Sequence, residues 1–382
     1  MRLSVVSSAL VAALVGLAGA LAIVLAAADA VHATPAETTS WVTALCLSMA
    51  LTSGLLSWWH KVPVITAWST PGAAVIAATA GTVSMQAAAG AFLLAGGLIV
   101  ATALVSPLDR AIRRIPVSVA AGMLSGVLLR FVLQMIDVAP SAPAIVLPLV
   151  VLFFVMRMKS PSLAMLLVIV AGTLLAAALG QIEHWPPLTL SKFTWIEPKF
   201  EPAVLLGLGL PLFLVTMASQ NLPGAAVIKA SGYEPPFSSA LLVTGLASLA
   251  IAPLGGHTIN LAAITAAICT GPDAHPDPAQ RWKTGIAYLV VYGGLAALGA
   301  SLVALFAIFP AALVKTIAGL GLLGPLAGAL GSALHVEKER LPAAVTFAIS
   351  ASGIAVFGIG AAFWGLVAGL VVLWCDRRAA KA

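Results

Sequence analysis

Two short polar clusters interrupt an otherwise apolar sequence, and their residue types suit the binding of an anion. The first, Trp68-Ser69-Thr70-Pro71-Gly72, follows Pro63 and runs into AAVIAATAG. The second, Gly255-Gly256-His257-Thr258-Ile259-Asn260, follows Pro253 and runs into LAAITAAICTG. Proline and glycine break the helix before each cluster. Ser69 or Thr70 is a good N-cap, with Pro71 favoured at the first helical position, and Thr258 or His257 can cap the second helix. The first turn of a helix leaves N–H groups unpaired and carries the positive end of the dipole. Two such starts facing one another attract an anion. Each contributes about 0.3–1 kcal/mol when exposed and up to about 2 kcal/mol when partly buried. Together they suffice for one carboxylate without a buried arginine. The competing reading is a pair of ordinary kinks in spans packed through small residues.

A third polar group, Met217-Ala-Ser219-Gln220-Asn221, ends a strongly apolar run and is followed by Leu-Pro-Gly. It reads either as a helix end followed by a turn, or as donors to a substrate and ties for the broken helices. Trp68, Phe213 and Met217 are the candidates for contact with an apolar ring. His257 is the best-placed titratable group, because an unperturbed pKa of about 6.5 suits proton coupling. A histidine bonded to backbone in a tight turn is the alternative. No carboxylate falls near the middle of an apolar run; Asp29, Asp109, Asp137 and Asp376 lie at ends or in loops. There is no P-loop, no metal-ligand spacing among His257, His275 and the cysteines, and no supported triad. The expectation is a protein that is not an enzyme and that uses no metal and no cofactor. Cys46, Cys269 and Cys375 are odd in number and lie in or beside apolar runs, so they read as free thiols.

The elements that position these groups must lie in lipid. Of 382 residues, 61% are hydrophobic and 8% charged, and the mean hydropathy is +1.09. A water-facing surface needs roughly 25% charged residues. The long continuous apolar runs read as helices, whereas barrels show short alternating segments. About fourteen segments result, among them 4–28, 63–81, 202–222 and 256–271. The last two, 342–357 and 359–375, are separated only by Gly358 and read as a re-entrant hairpin or one long span. A cytoplasmic N-terminus puts 15 of the 19 basic residues on one side and leaves out only Arg130, Lys192, Lys199 and Lys315. The loop 29–40 carries no Lys or Arg, as an outer loop should. Both termini are therefore expected to be cytoplasmic. Arg130 is read as snorkelling toward an interface.

The polar clusters also reveal a repeat. ITAWSTPGAAVIAATAG (65–81) and GGHTINLAAITAAICTG (255–271) share a polar start, an alanine-rich body and a terminal glycine, 190 residues apart. IPVSVAAGMLSGVLL from Ile115 and FPAALVKTIAGLGLL from Phe309 match with prolines 194 apart. Two pairs at nearly equal offset predict duplicated halves, 1–192 and 193–382. Seven spans in each make the repeat inverted, a common plan of secondary transporters. The first apolar run imitates a signal peptide near Ala18-Gly19-Ala20, but it is kept as a span because it pairs with the eighth.

These stretches resemble a known family. PLFLVTMASQNLPGAAVIKASGYEPP and APLGGHTINLAAITAAICTGPDAHPDP are similar to the benzoate/proton symporters of the BenE type, and the likeness runs over most of the chain. The resemblance implies proton-coupled uptake of benzoate or a related aromatic carboxylate across a bacterial inner membrane. It also implies a fold like that of the uracil permeases. There, short strands precede the interrupted third and tenth helices. Spans 1–4 and 8–11 form a core domain, and spans 5–7 and 12–14 a gate domain. Related folds often dimerise, so a homodimer is the matching expectation. Carried over by motif, the matching positions are Ser69–Gly72, Gly255–Asn260 and Ser219–Asn221; with the ring-contact candidates, the expected substrate site is Trp68, Ser69, Thr70, Gly72, Met217, Ser219, Gln220, Asn221, Gly255, Gly256, His257, Thr258 and Asn260. The glutamates that nucleobase permeases use on the eighth and tenth spans are absent, which fits an anionic substrate and leaves the proton-binding group open. A nucleobase-type permease and a channel are the alternatives.

Overall fold

A computed structural model describes residues 2–79, 83–105, 116–182, 184–357 and 359–379. Gly81, Asp109, Arg110, Arg113, Arg114, Ile115, Gly358 and Lys381, on which the sequence reading leans, lie outside the described residues.

The chain opens with α1 (Leu3–Ala30) and α2 (Pro35–His60). The expected outer loop 29–40 shrinks to a tight turn. Thr34 and Glu37 explain why: each side chain takes the other's backbone N–H in a capping box, with Pro35 at the first helical position. Strand β1 (Thr66–Trp68) and the eight-residue α3 (Thr70–Ala77) follow, then α4 (Met85–Leu104), α5 (Val117–Val138), α6 (Pro143–Lys159) and α7 (Pro161–Ala178).

The second half runs α8 (Pro202–Ala230), α9 (Phe237–Ile251), β2 (Ile259–Leu261) and a seven-residue α10 (Ile264–Thr270). The chain continues with α11 (Lys283–Ala297), α12 (Gly299–Ala307) and α13 (Ala311–Leu334). It finishes with α14 (Arg340–Ser352), β3 (Ala355–Val356), β4 (Ile359–Gly360) and α15 (Ala361–Ala379). Pro116 and Pro310, paired in the repeat, each cap the start of a long helix, α5 and α13. Among the described residues, seven helices are long and apolar enough to cross a bilayer, or eight if α11 and α12, bent by 59°, form one span.

Three boundaries differ from expectation. The second interrupted helix does not start near His257 or Thr258. Its N-cap is Ala263, with no side-chain cap. Gly255 takes φ +92°, a conformation that suits glycine, and residues 259–261 are claimed by pairing with β1 before a helix can begin. The helix carrying Gln220 and Asn221 does not end there. It passes through Pro223 to Ala230 by widening into a π-helical turn over Met217–Asn221. Proline offers no N–H and crowds the preceding turn, and a wider turn relieves both. Finally, 342–375 is not one long rod. The β3–β4 pair separates α14 from α15, and the two helices pack on each other.

Packing follows small residues. Gly122 and Gly126 of α5 face the backbone of α14, where an added Cβ would meet the Ala343 and Phe347 carbonyl oxygens at 2.5 Å. On an adjacent face of α14, Gly365 and Gly369 of α15 sit against Ser350 and Thr346. Two Gly-xxx-Gly pairs thus clasp one helix, as close approach in lipid requires. The same α5 packs along α13. Elsewhere α2 lies along α11, α4 along α9, and α1 against α3, α10 and α11.

Arg130 of α5 does not snorkel. Its Nη1 donates to the Ala78 carbonyl at 3.5 Å, at the C-terminal end of α3, and its guanidinium lies over Gly353. A cation at a helix C-terminus complements the dipole.

Candidate functional site

Strands β1 and β2 pair antiparallel, with Thr66 opposite Leu261, Ala67 opposite Asn260 and Trp68 opposite Ile259. The ladder extends through Ser69 N–H to the Thr258 carbonyl at 3.0 Å and Ala262 N–H to the Ile65 carbonyl at 2.9 Å. This short sheet sets the starts of α3 and α10 at its two ends, and both reach one cavity. It is tied to its neighbours at several points. Thr66 is held by Thr52 and Ser53 of α2, each 2.7 Å away. Ser248 of α9 accepts the Ile259 N–H, and Asn221 of α8 accepts the Leu261 N–H, both at 2.9 Å.

The sequence-selected residues divide into two layers. Trp68, Thr70, Ser219 and Gln220 line a cavity of about 540 Å³. That volume lies within the roughly 300–1,000 Å³ of ligand sites. Ser69, Gly72, Asn221, Gly255, Gly256, His257, Thr258 and Asn260 lie behind that wall. Phe213 and Met217 are buried there too, so of the three ring-contact candidates only Trp68 reaches the cavity.

The rear layer is a network. Ser69 Oγ accepts the Gly72 N–H at 3.1 Å and a hydrogen bond from Thr216 at 3.0 Å, and Thr216 is also 2.9 Å from Thr258. Trp41 Nε1–H donates to His257 Nδ1 at 3.0 Å, and His257 Nε2–H donates to the Ser69 carbonyl at 3.0 Å. These partners fix the neutral tautomer, with both ring nitrogens engaged. Gly72 is a packing residue: a Cβ there would meet Leu212 at 2.5 Å.

The cavity wall is chemically unusual. Among its described residues there is no Asp, Glu, His, Lys or Arg. The backbone N–H groups of Thr70, Ile264 and Thr265, all on this wall, donate to no acceptor among the described residues. Amides of a first helical turn have no acceptor within their own helix and stay free for a ligand. The opposite wall comes from α5 and α13, with Leu124, Gly321 and Pro325.

Comparison with known proteins decides the family. The family model described as "Benzoate membrane transport protein", BenE, matches residues 1–375. The chain belongs to the BenE family. The "Benzoate membrane transport protein" of Acinetobacter baylyi is 35% identical over 372 residues, covering 97% of this chain and 94% of that one. "Inner membrane protein YdcO" of Escherichia coli K12 is 39% identical over 359 residues, covering 94% and 92%. Among solved structures, the transmembrane domain of a cyanobacterial bicarbonate transporter, BicA, superposes with a TM-score of 0.62 at 15% identity, covering 96% of this chain and 97% of that one. This last likeness speaks for the fold alone. This BenE-family chain is thus a multi-pass membrane transport protein.

Sequence reasoning missed several residues of the cavity in this BenE chain. Tyr288 and Tyr292 of α11, Thr265 of α10 and Gly16 of α1 all line it. A signal for the tyrosines was present: only three occur in the chain, and two stand four apart on one face of an apolar span. Nothing comparable marks Gly16.

Proposed function

We propose that this protein carries benzoate or a related aromatic carboxylate, together with a proton, across the cytoplasmic membrane. The observation that carries the reading is the charge-free cavity with unpaired amide N–H groups at its head. An anion placed there gains donors that are already oriented. An aromatic ring gains an apolar wall. A buried arginine would hold the anion more tightly and slow its release. The name and near-full coverage of the Acinetobacter relative support the substrate class.

In this reading α1–α4 with α8–α11 move as a core against a gate formed by α5–α7 with α13–α15. The packing of α2 on α11, α4 on α9 and α5 on α13 and α14 supports that division. Seven plus seven inverted spans and cytoplasmic termini belong to the same reading. The matching order of strand and short helix in the two halves supports the repeat. The cavity shares Val117, Gly328 and Ser332 with a second hollow of about 630 Å³ bordered by Glu339 and Arg377. That continuity supports a state open toward the basic, cytoplasmic side.

Of the two roles that the sequence offers His257, this reading keeps the positioning one. With no protonatable carboxylate or imidazole on the described wall, the coupled proton joins the substrate's own carboxylate after it has bound as the anion, and crosses with it. Ring-substituted benzoates of graded acidity are therefore expected to shift the pH profile of uptake in step with their own pKa. A profile that stays fixed across the series assigns the proton to the protein instead.

The test is uptake of labelled benzoate into proteoliposomes under an imposed pH gradient. Accumulation above equilibrium is expected, and a channel would give none. Uracil displacing the label better than unlabelled benzoate would replace this reading with a nucleobase permease. One proton with one monoanion moves no net charge, so a potassium-diffusion potential alone is expected to drive little uptake. Strong potential-driven uptake without a pH gradient contradicts one-to-one coupling.

A further inference from the structure

Tyr288 has no part in the network described above. Its side chain is fully buried, and its ring lies 4.5 Å from that of Tyr292. Tyr292 in turn meets Trp68 edge-on at 6.5 Å. All three residues line the cavity and give it one aromatic side. The two tyrosines differ in their hydroxyls. Tyr292 donates to the Ala13 carbonyl of α1 at 3.4 Å. The Tyr288 hydroxyl has no hydrogen-bond partner among the described residues. Its polar neighbours are Tyr292 and Thr265, close enough to interact with it but outside hydrogen-bond geometry.

A buried hydroxyl without a partner is disfavoured, and phenylalanine would fill the same space without that cost. The hydroxyl makes sense when a ligand supplies the acceptor. A carboxylate is acceptor-only and forms stronger, charge-assisted bonds than a neutral carbonyl. We propose that Tyr288 is a substrate-binding, specificity-determining residue whose phenolic O–H donates to the carboxylate of the bound aromatic acid, with the ring resting against Trp68 and Tyr292. The inference rests on the reading of the cavity as an aromatic carboxylate site. It adds a side-chain donor on α11 that selects carboxylates over neutral aromatic compounds of the same shape.

The experiment measures binding of benzoate and of benzamide to purified, full-length wild type, Tyr288→Phe, Tyr288→Met and Tyr292→Phe. Calorimetry gives Kd, and the thermal midpoint without ligand checks folding. Loss of a hydrogen bond to a charged group is expected to weaken benzoate binding about tenfold or more in both Tyr288 variants. Benzamide binding changes much less, and the midpoint stays at or above that of wild type. Tyr292→Phe retains the preference for benzoate over benzamide. Wild-type affinity for benzoate in a folded Tyr288→Phe or Tyr288→Met overturns the inference while leaving the substrate class standing. Equal loss for benzoate and benzamide also overturns it, because a packing defect would do the same. Wild type that binds no aromatic carboxylate overturns both this inference and the reading beneath it.

Discussion

His257→Ala is expected to lower thermal stability and to abolish benzoate uptake at every pH, and not merely to flatten the pH profile. The imidazole bridges Trp41 of α2 to the Ser69 carbonyl at the start of α3, and it is fully buried. Alanine leaves the indole N–H without its partner and removes one donor from that carbonyl. Each buried group left unpaired costs about 1–3 kcal/mol, and the missing ring adds a cavity. The β1–β2 pair then loses its brace, and the free amides of the cavity wall lose their alignment. The measurement is a melting curve in detergent alongside proteoliposome uptake with and without a pH gradient. A proton carrier would behave differently. Its loss would leave the protein stable and able to exchange labelled for unlabelled benzoate, yet unable to accumulate it. That pattern would return the coupling role to His257.

Gly126→Leu and Gly369→Leu are expected to be the most damaging single changes outside the cavity. At Gly126 the new Cβ would stand 2.5 Å from the Phe347 carbonyl oxygen, with Ser350 and the Ala351 backbone also within 3 Å. At Gly369 it would run into the Thr346 side chain on an adjacent face of the same helix, with the Pro342 carbonyl oxygen at 3.0 Å. Backbone cannot rotate away as a side-chain tip can, so α14 must separate from α5 or α15. Overpacking of this kind costs about 3 kcal/mol or more. The check is the yield of monodisperse protein after detergent extraction, with Gly293→Leu as control because nothing lies within 4 Å of a Cβ there. Equal yields from Gly126→Leu and the control would show that the α5–α14 contact yields more easily than its geometry suggests.

Much of the site was legible in one dimension. The polar clusters at 68–72 and 255–260 stood out because polar residues, Pro and Gly are conspicuous in an apolar chain. The structure places each before a short helix at one cavity. Less legible was which residues face the cavity and which stand behind. Thr258 looks as good a cap as Ser69, yet Ser69 caps α3 while Thr258 bonds Thr216 and α10 begins six residues later. Strand pairing decided that, and pairing partners about 190 residues apart leave no local trace. The Pro223 turn misled for a related reason: proline ends many helices, but a π-helical turn absorbs it when both flanks are packed.

Composition and loop charge alone determined that this chain lives in lipid as a bundle of apolar helices, because the cost of burying charge admits no other solvent. Repeated polar interruptions alone marked where the bundle is broken. Only the tertiary structure decided that His257 is braced between Trp41 and Ser69, that Tyr288 stands at the cavity with an unused hydroxyl, and that two glycine pairs clasp α14. Those facts depend on which distant surfaces come within a few ångströms. An isolated span carries no record of its neighbour.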